Sequence, residues 1–194
     1  MKTLIGLVSS AALTCMLASP LVLAANTKPD AFIQKAIAGN LAEIKVGQLA
    51  QQKGASEGVR NFGTVLEQDH STANREAMSA AATMGVTSPA EPGRKEQAEY
   101  RHLASLSGAR FDKAFVKAMV KDHKKDIAEY KKEVKAASNS PAGSYAETSL
   151  PTLQKHLRLA DHGPKCTAGM LWALLFYAAS RIASLAAKSL AARR

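Results

Sequence analysis

The chain has 194 residues, 46% of them hydrophobic and 5% aromatic, with a formal net charge of +10. Residues 165–194 hold five basic residues and no acid, and with Lys2 also set aside residues 25–164 carry only +4. Few aromatics and no nucleic-acid-binding motif exclude nucleic acid as the partner behind that charge.

The N-terminus has the pattern of a secretory signal. Lys2 is the only charge before Lys28, the stretch from Leu4 to Leu23 is apolar, and Val22-Leu23-Ala24 places small or β-branched side chains before a cleavage point after Ala24. Thr14 before Cys15, and Ala12 where a Leu would be expected, argue against lipidation at that cysteine. Cleavage leaves Cys166 as the only cysteine, so no internal disulfide is expected. The expected organisation is a signal peptide over 1–24, one domain over 25–162 and a distinct tail over 163–194. The protein is thus expected in the periplasm or cell envelope.

Between breaks at 87–93, 139–143 and 162–164 the apolar residues follow the helical period, with no strand-like alternation. A first helix over about 29–53 has a stripe of Ile33, Ile37, Leu41 and Ile44. Beside it lies a second stripe of small residues, Ala36, Asn40, Gly47 and Ala50, which includes Glu43. A second helix runs from an N-cap at Ser56 to about Met84. A short one covers Arg94 to Leu106, and a third long one Arg110 to Ala137. The last covers about Tyr145 to Ala160, with Pro151 expected in its first turn. The fold class is therefore all-α, an antiparallel four-helix bundle with a short extra helix.

Three histidines share faces with apolar residues on separate long helices: His70 with Leu66, Ala73 and Ala77; His123 with Met119, Ile127 and Tyr130; His156 with Leu153 and Ala160. Side chains three and four apart project together, so each imidazole points at the core. A buried imidazole needs hydrogen-bond partners or a metal. With Glu43, the three make either a metal-free polar network or a ligand set for Zn, Cu or Fe. Glu67 adds one Glu-x-x-His with His70. A di-iron bundle needs two such motifs, and Val120 stands where the second Glu would be. The dipeptides Asp69-His70 and Asp122-His123 suggest a crossed arrangement, Asp69 to His123 and Asp122 to His70, in which the carboxylates orient the imidazoles. The competing arrangement pairs both acids with surface lysines. His102 and His162 lie in polar surroundings and are expected to be solvated. No pattern of catalytic residues stands out.

The segments Leu66-Glu-Gln-Asp-His70-Ser-Thr-Ala-Asn74, Ser107-Gly-Ala-Arg-Phe-Asp112, Met119-Val-Lys-Asp-His123 and Leu150-Pro-Thr-Leu-Gln-Lys-His156-Leu resemble the exported bacterial family of domain of unknown function 4142. The resemblance covers about 30–160 and implies a ferritin-like helical bundle in the periplasm, with no activity attached. The tail departs from that pattern. Residues 166–180 are uncharged, which is short of the roughly 20 apolar residues that span a bilayer. Arg181, Ser184 and Lys188 then share one face. The tail reads either as an interfacial amphipathic helix touching a membrane surface or as a frameshifted end.

Two functions fit these observations: an envelope binding or structural module with its histidines in a polar core network, or a metal-binding, redox-capable bundle built on His70, His123, His156 and Glu43. The protein partner is not legible from the sequence.

Overall fold

A computed structural model of the chain describes residues 28–162; the signal-like segment, Cys166 and the apolar, basic tail lie outside the described residues. The described residues form five helices and no strand: α1 Lys28–Lys53, α2 Glu57–Thr83, α3 Arg94–Ala104, α4 Gly108–Ala137 and α5 Pro141–His162. None of these is long and apolar enough to cross a membrane.

The helices pair as two hairpins. α1 packs along α2, α4 along α5, and α2 closes against α5. The first pair is antiparallel and tight, because Gly47 and Gly63 face each other across it. A Cβ on Gly47 would stand 2.7 Å from the Gly63 carbonyl oxygen, and one on Gly63 would stand 2.6 Å from the Gly47 oxygen. That close approach explains which face of α1 is inside. The small stripe is fully buried together with Asn40 and Glu43, whereas Leu41 and Ile44, expected as core, are only partly buried.

Caps and turns set the joints. The Ser56 hydroxyl accepts from the Val59 amide at 3.3 Å, as an N-cap does. The Asp112 carboxylate accepts from the amides of Ala55 and Ser56, each at 2.9 Å, so the start of α4 is tied beside the start of α2. The chain therefore returns along the bundle between α2 and α4, through the 84–93 segment and α3. Gly85 and Gly108 adopt positive φ at the two ends of that return, which only glycine does without strain.

α5 begins earlier than the sequence suggests. The Ser140 hydroxyl accepts from the Gly143 amide at 3.0 Å and Pro141 occupies the first helical position, where its missing N–H is harmless. Pro151 consequently lies inside the helix rather than in its first turn.

Two apolar clusters fill the interior. One gathers Ile33, Ile37, Ala77, Ala81, Ile127, Tyr130, Tyr145 and Leu153. The other gathers Val46, Leu49, Phe62, Leu66, Phe111, Phe115 and Met119. On every long helix the residues between these clusters are polar: Asn40 and Glu43 on α1, His70 on α2, His123 on α4 and His156 on α5, all buried.

Candidate metal centre

The three histidines meet in that polar layer. Their ring centroids lie 5.1 Å (His70–His156), 5.2 Å (His123–His156) and 5.9 Å (His70–His123) apart. One nitrogen from each ring falls within 4.8 Å of the others. Among the described residues, no other group of three or more His, Cys, Asp or Glu side chains converges in this way.

The hydrogen bonds around the layer determine which nitrogen of each ring carries hydrogen. His123 Nδ1 lies 2.9 Å from the Met119 carbonyl oxygen, which only accepts, so Nδ1 is the donor and Nε2 presents a lone pair. His70 Nδ1 lies 2.9 Å from Asn40 Oδ1. The Asn40 amide nitrogen donates to the Tyr145 hydroxyl at 2.9 Å, which leaves Oδ1 as the acceptor and His70 Nδ1 as the donor. His70 Nε2 is then a buried lone pair with no protein partner. His156 Nε2 lies 2.9 Å from Asp69 Oδ2, to which Lys155 also donates at 2.6 Å. Burial pushes the Asp69 carboxyl up, but the bonds from His156 and Lys155 outweigh it and hold the group below its ordinary range. An ionised Asp69 makes His156 Nε2 the donor and turns the Nδ1 lone pair inward.

The outcome is three lone pairs directed at one another, with His156 Nδ1 only 3.2 Å from His123 Nε2. Two acceptors at that distance repel unless a proton or a cation lies between them. A proton is disfavoured. Burial lowers the pKa of His70 far below its usual value, with the neighbouring His156 and His123 adding to the shift. Burial and His156 bring His123 down to about 3. His156 is also lowered by burial, which overrides the opposing pull of Asp69. Three neutral imidazoles with fixed tautomers are the form in which histidine ligates metals.

The other residues singled out from sequence fall in different places. Asp69 meets His156 rather than His123, because α2 lies against α5 at this level. Asp122 does not reach His70; it stands beside Glu99 of α3, whose carboxyl is raised by burial and by that neighbour. Glu67 turns away from the histidines to the edge of the α1–α2 contact, where Gln48 and Gln51 donate to it at 2.8 and 2.7 Å. Glu43 is buried near the layer with Oε2 unpartnered, and burial raises its pKa well above the usual carboxyl value. It is not among the converging donors. His102 and His162 are exposed. Sequence reasoning assigned Asn40 only to the small stripe; the available signal was an amide on a buried face one turn from Glu43.

Residues 18–162 match the family described as Domain of unknown function (DUF4142), and the chain belongs to it. No curated protein and no solved structure matches the chain.

Proposed function

We propose that this is an exported envelope protein whose ferritin-like four-helix bundle binds one divalent transition-metal ion through His70 Nε2, His123 Nε2 and His156 Nδ1. The observation that carries the reading is the set of three lone pairs facing each other while Asn40, Met119 and Asp69 hold the opposite nitrogens. Neutral imidazoles suit Zn²⁺, Cu²⁺ and Fe²⁺, whereas hard cations prefer oxygen donors. Three protein ligands leave a fourth position on a tetrahedral ion for water or an exogenous ligand. The two hairpins joined by a return segment along the bundle support the ferritin-like assignment. Export rests on the charge, the apolar stretch and the Val22-Leu23-Ala24 end of the N-terminal segment.

One preparation tests both halves: the full chain expressed with its N-terminal segment, purified from the periplasm without an affinity tag, and analysed by intact mass and metal titration. The expected species begins at Ala25, takes up one equivalent of Zn²⁺ and is stabilised by it. At a free ion concentration 100 times Kd the gain is about 2.7 kcal/mol. His70→Ala combined with His123→Ala removes the response. A chain retaining Met1 rules out processing, and a wild-type melting temperature indifferent to Zn²⁺, Cu²⁺ and Fe²⁺ rules out the metal. In that last case the layer is a metal-free polar network, and the bundle is a structural module.

A further inference from the structure

Two cavities reach His70 from different sides, and their chemistry differs. The larger, about 330 Å³, lies between α1, α3 and α4 and runs from the exposed Lys35 and Lys95 at its mouth to the buried His70 and Met119. Its acidic side chains are Glu43, Glu96, Glu99, Asp122, Asp126 and Glu129, against three lysines, in a chain whose net charge is +10. Two of those lysines are already engaged: Lys35 with Glu129 at 2.5 Å, and Lys125 with Asp126 at 3.6 Å and Glu129 at 4.0 Å. The smaller cavity, about 230 Å³ on the α2–α5 side, has only Asp69 and Glu76 as acids, and Lys155 and His156 occupy Asp69.

Glu43 distinguishes the larger cavity further. The residue is 91% buried and lines the cavity, and one oxygen of its carboxyl group has no partner in the protein. A buried carboxyl oxygen left unpaired is costly unless something compensates it. Asp126, on α4, lines the same wall, and its carboxyl is pushed up to about 6 by burial, against Lys125, and by Glu129 and Asp122. The acids do not converge tightly enough to chelate an ion themselves, since the histidines are the only converging donor group among the described residues. With six acids against three lysines, two of which are already paired, the lining favours a cation, and Glu43 offers a buried, unpaired oxygen within it.

We propose that the cavity between α1, α3 and α4 is the entry route by which a divalent cation reaches the three histidines, with Glu43 as the last carboxyl group it contacts before them, giving up its proton to the solvent as the cation passes. This rests on the metal reading above. Clefts lined by one sign of charge raise association rates by roughly 10–1,000-fold, in a manner that salt suppresses. The discriminating measurement is stopped-flow uptake of Co²⁺, followed by its visible absorption, at several ionic strengths. The full chain is compared with Glu43→Gln, Asp126→Asn, the double variant, and Glu76→Gln in the other cavity.

The expected result is an association rate that falls with salt in the wild type. It should be slower by about tenfold in the double variant, with a flatter salt dependence, and unchanged in Glu76→Gln. Circular dichroism confirms folding, and Asp126→Asn alone keeps the test open if Glu43→Gln does not fold. Co²⁺ uptake with the wild-type rate and salt slope in the cavity variants overturns the route and leaves the metal site standing. Slowing in Glu76→Gln instead moves the route to the other cavity. No Co²⁺ uptake by the wild type overturns both proposals.

Discussion

On one side of the histidines, Phe62, Phe111 and Phe115 close against each other with ring centroids 5.7 and 5.8 Å apart, and Leu66 and Leu103 complete the wall. In the layer next to it, the same helices bury His70, His123, His156, Asn40 and Glu43. Both regions are almost free of solvent, but they pack under opposite rules. The aromatic cluster gains from contact area and geometry alone. The polar layer must match every donor to an acceptor, and it leaves His70 Nε2 and Glu43 Oε2 unmatched. Replacing buried polar groups by well-packed apolar ones is often neutral or stabilising, so packing alone does not call for this layer. Unmatched buried groups are uncommon in folded proteins, and the proposed metal ion would satisfy the one on His70.

The contrast gives its largest effect in the aromatic cluster. Phe115→Ala removes a fully buried ring and is expected to lower unfolding stability by about 3–5 kcal/mol. Chemical denaturation in chelator and in Zn²⁺ should give the same loss, because Phe115 belongs to the packing and not to the site. A loss that depends on metal would erase the division between the two regions.

Asp69→Ala probes the other region and should behave in the reverse way. The substitution removes the acceptor that fixes the His156 tautomer, so Zn²⁺ affinity is expected to fall by about 10–100-fold. Titration against a competing chelator measures this. Unchanged affinity would mean that His156 keeps its inward lone pair without Asp69, and the tautomer argument would fail.

The two regions were not equally legible in the sequence. Spacings of three and four put each histidine on an apolar face, and that local geometry needs no knowledge of neighbours. Which carboxylate serves which imidazole depends on helix order around the bundle, and nothing local to Asp69 specifies that α5 lies beside it. Glu67 illustrates the same limit. Its position one turn from His70 suggested a ligand, but Gln48 and Gln51 across the helix contact draw it outward. The start of α5 was hidden differently. Pro151 looked like a helix-opening residue, while the Ser140-Pro141 pair that opens the helix fell in a stretch read as loop.

The smallest expected effect is also the one that compares the histidines directly with the acidic wall, through the pH dependence of the metal-free protein. The folded-state pKa of His123 is about 3, and those of His70 and His156 are also lowered, whereas unfolded histidines titrate near 6.5. Below about pH 6.5 the unfolded chain therefore binds protons that the folded chain does not, and acidification destabilises the fold. Asp126 and Glu43 act in the opposite sense. Their folded pKa values are raised, to about 6 for Asp126, above unfolded values near 4. As pH falls through that window the folded state takes up more protons than the unfolded one, and stability rises. The wild type should thus show a shallow loss of stability between pH 6.5 and 4.5, the difference of two steeper trends. Glu43→Gln with Asp126→Asn removes two of the compensating groups, leaving the raised carboxyls of Glu99 and Glu133, and should steepen the loss, read as the urea midpoint across that range in the presence of chelator. A variant whose profile is flatter than the wild type would show that these carboxyls are ionised in the fold, and that the acidic wall is more open to water than its burial indicates.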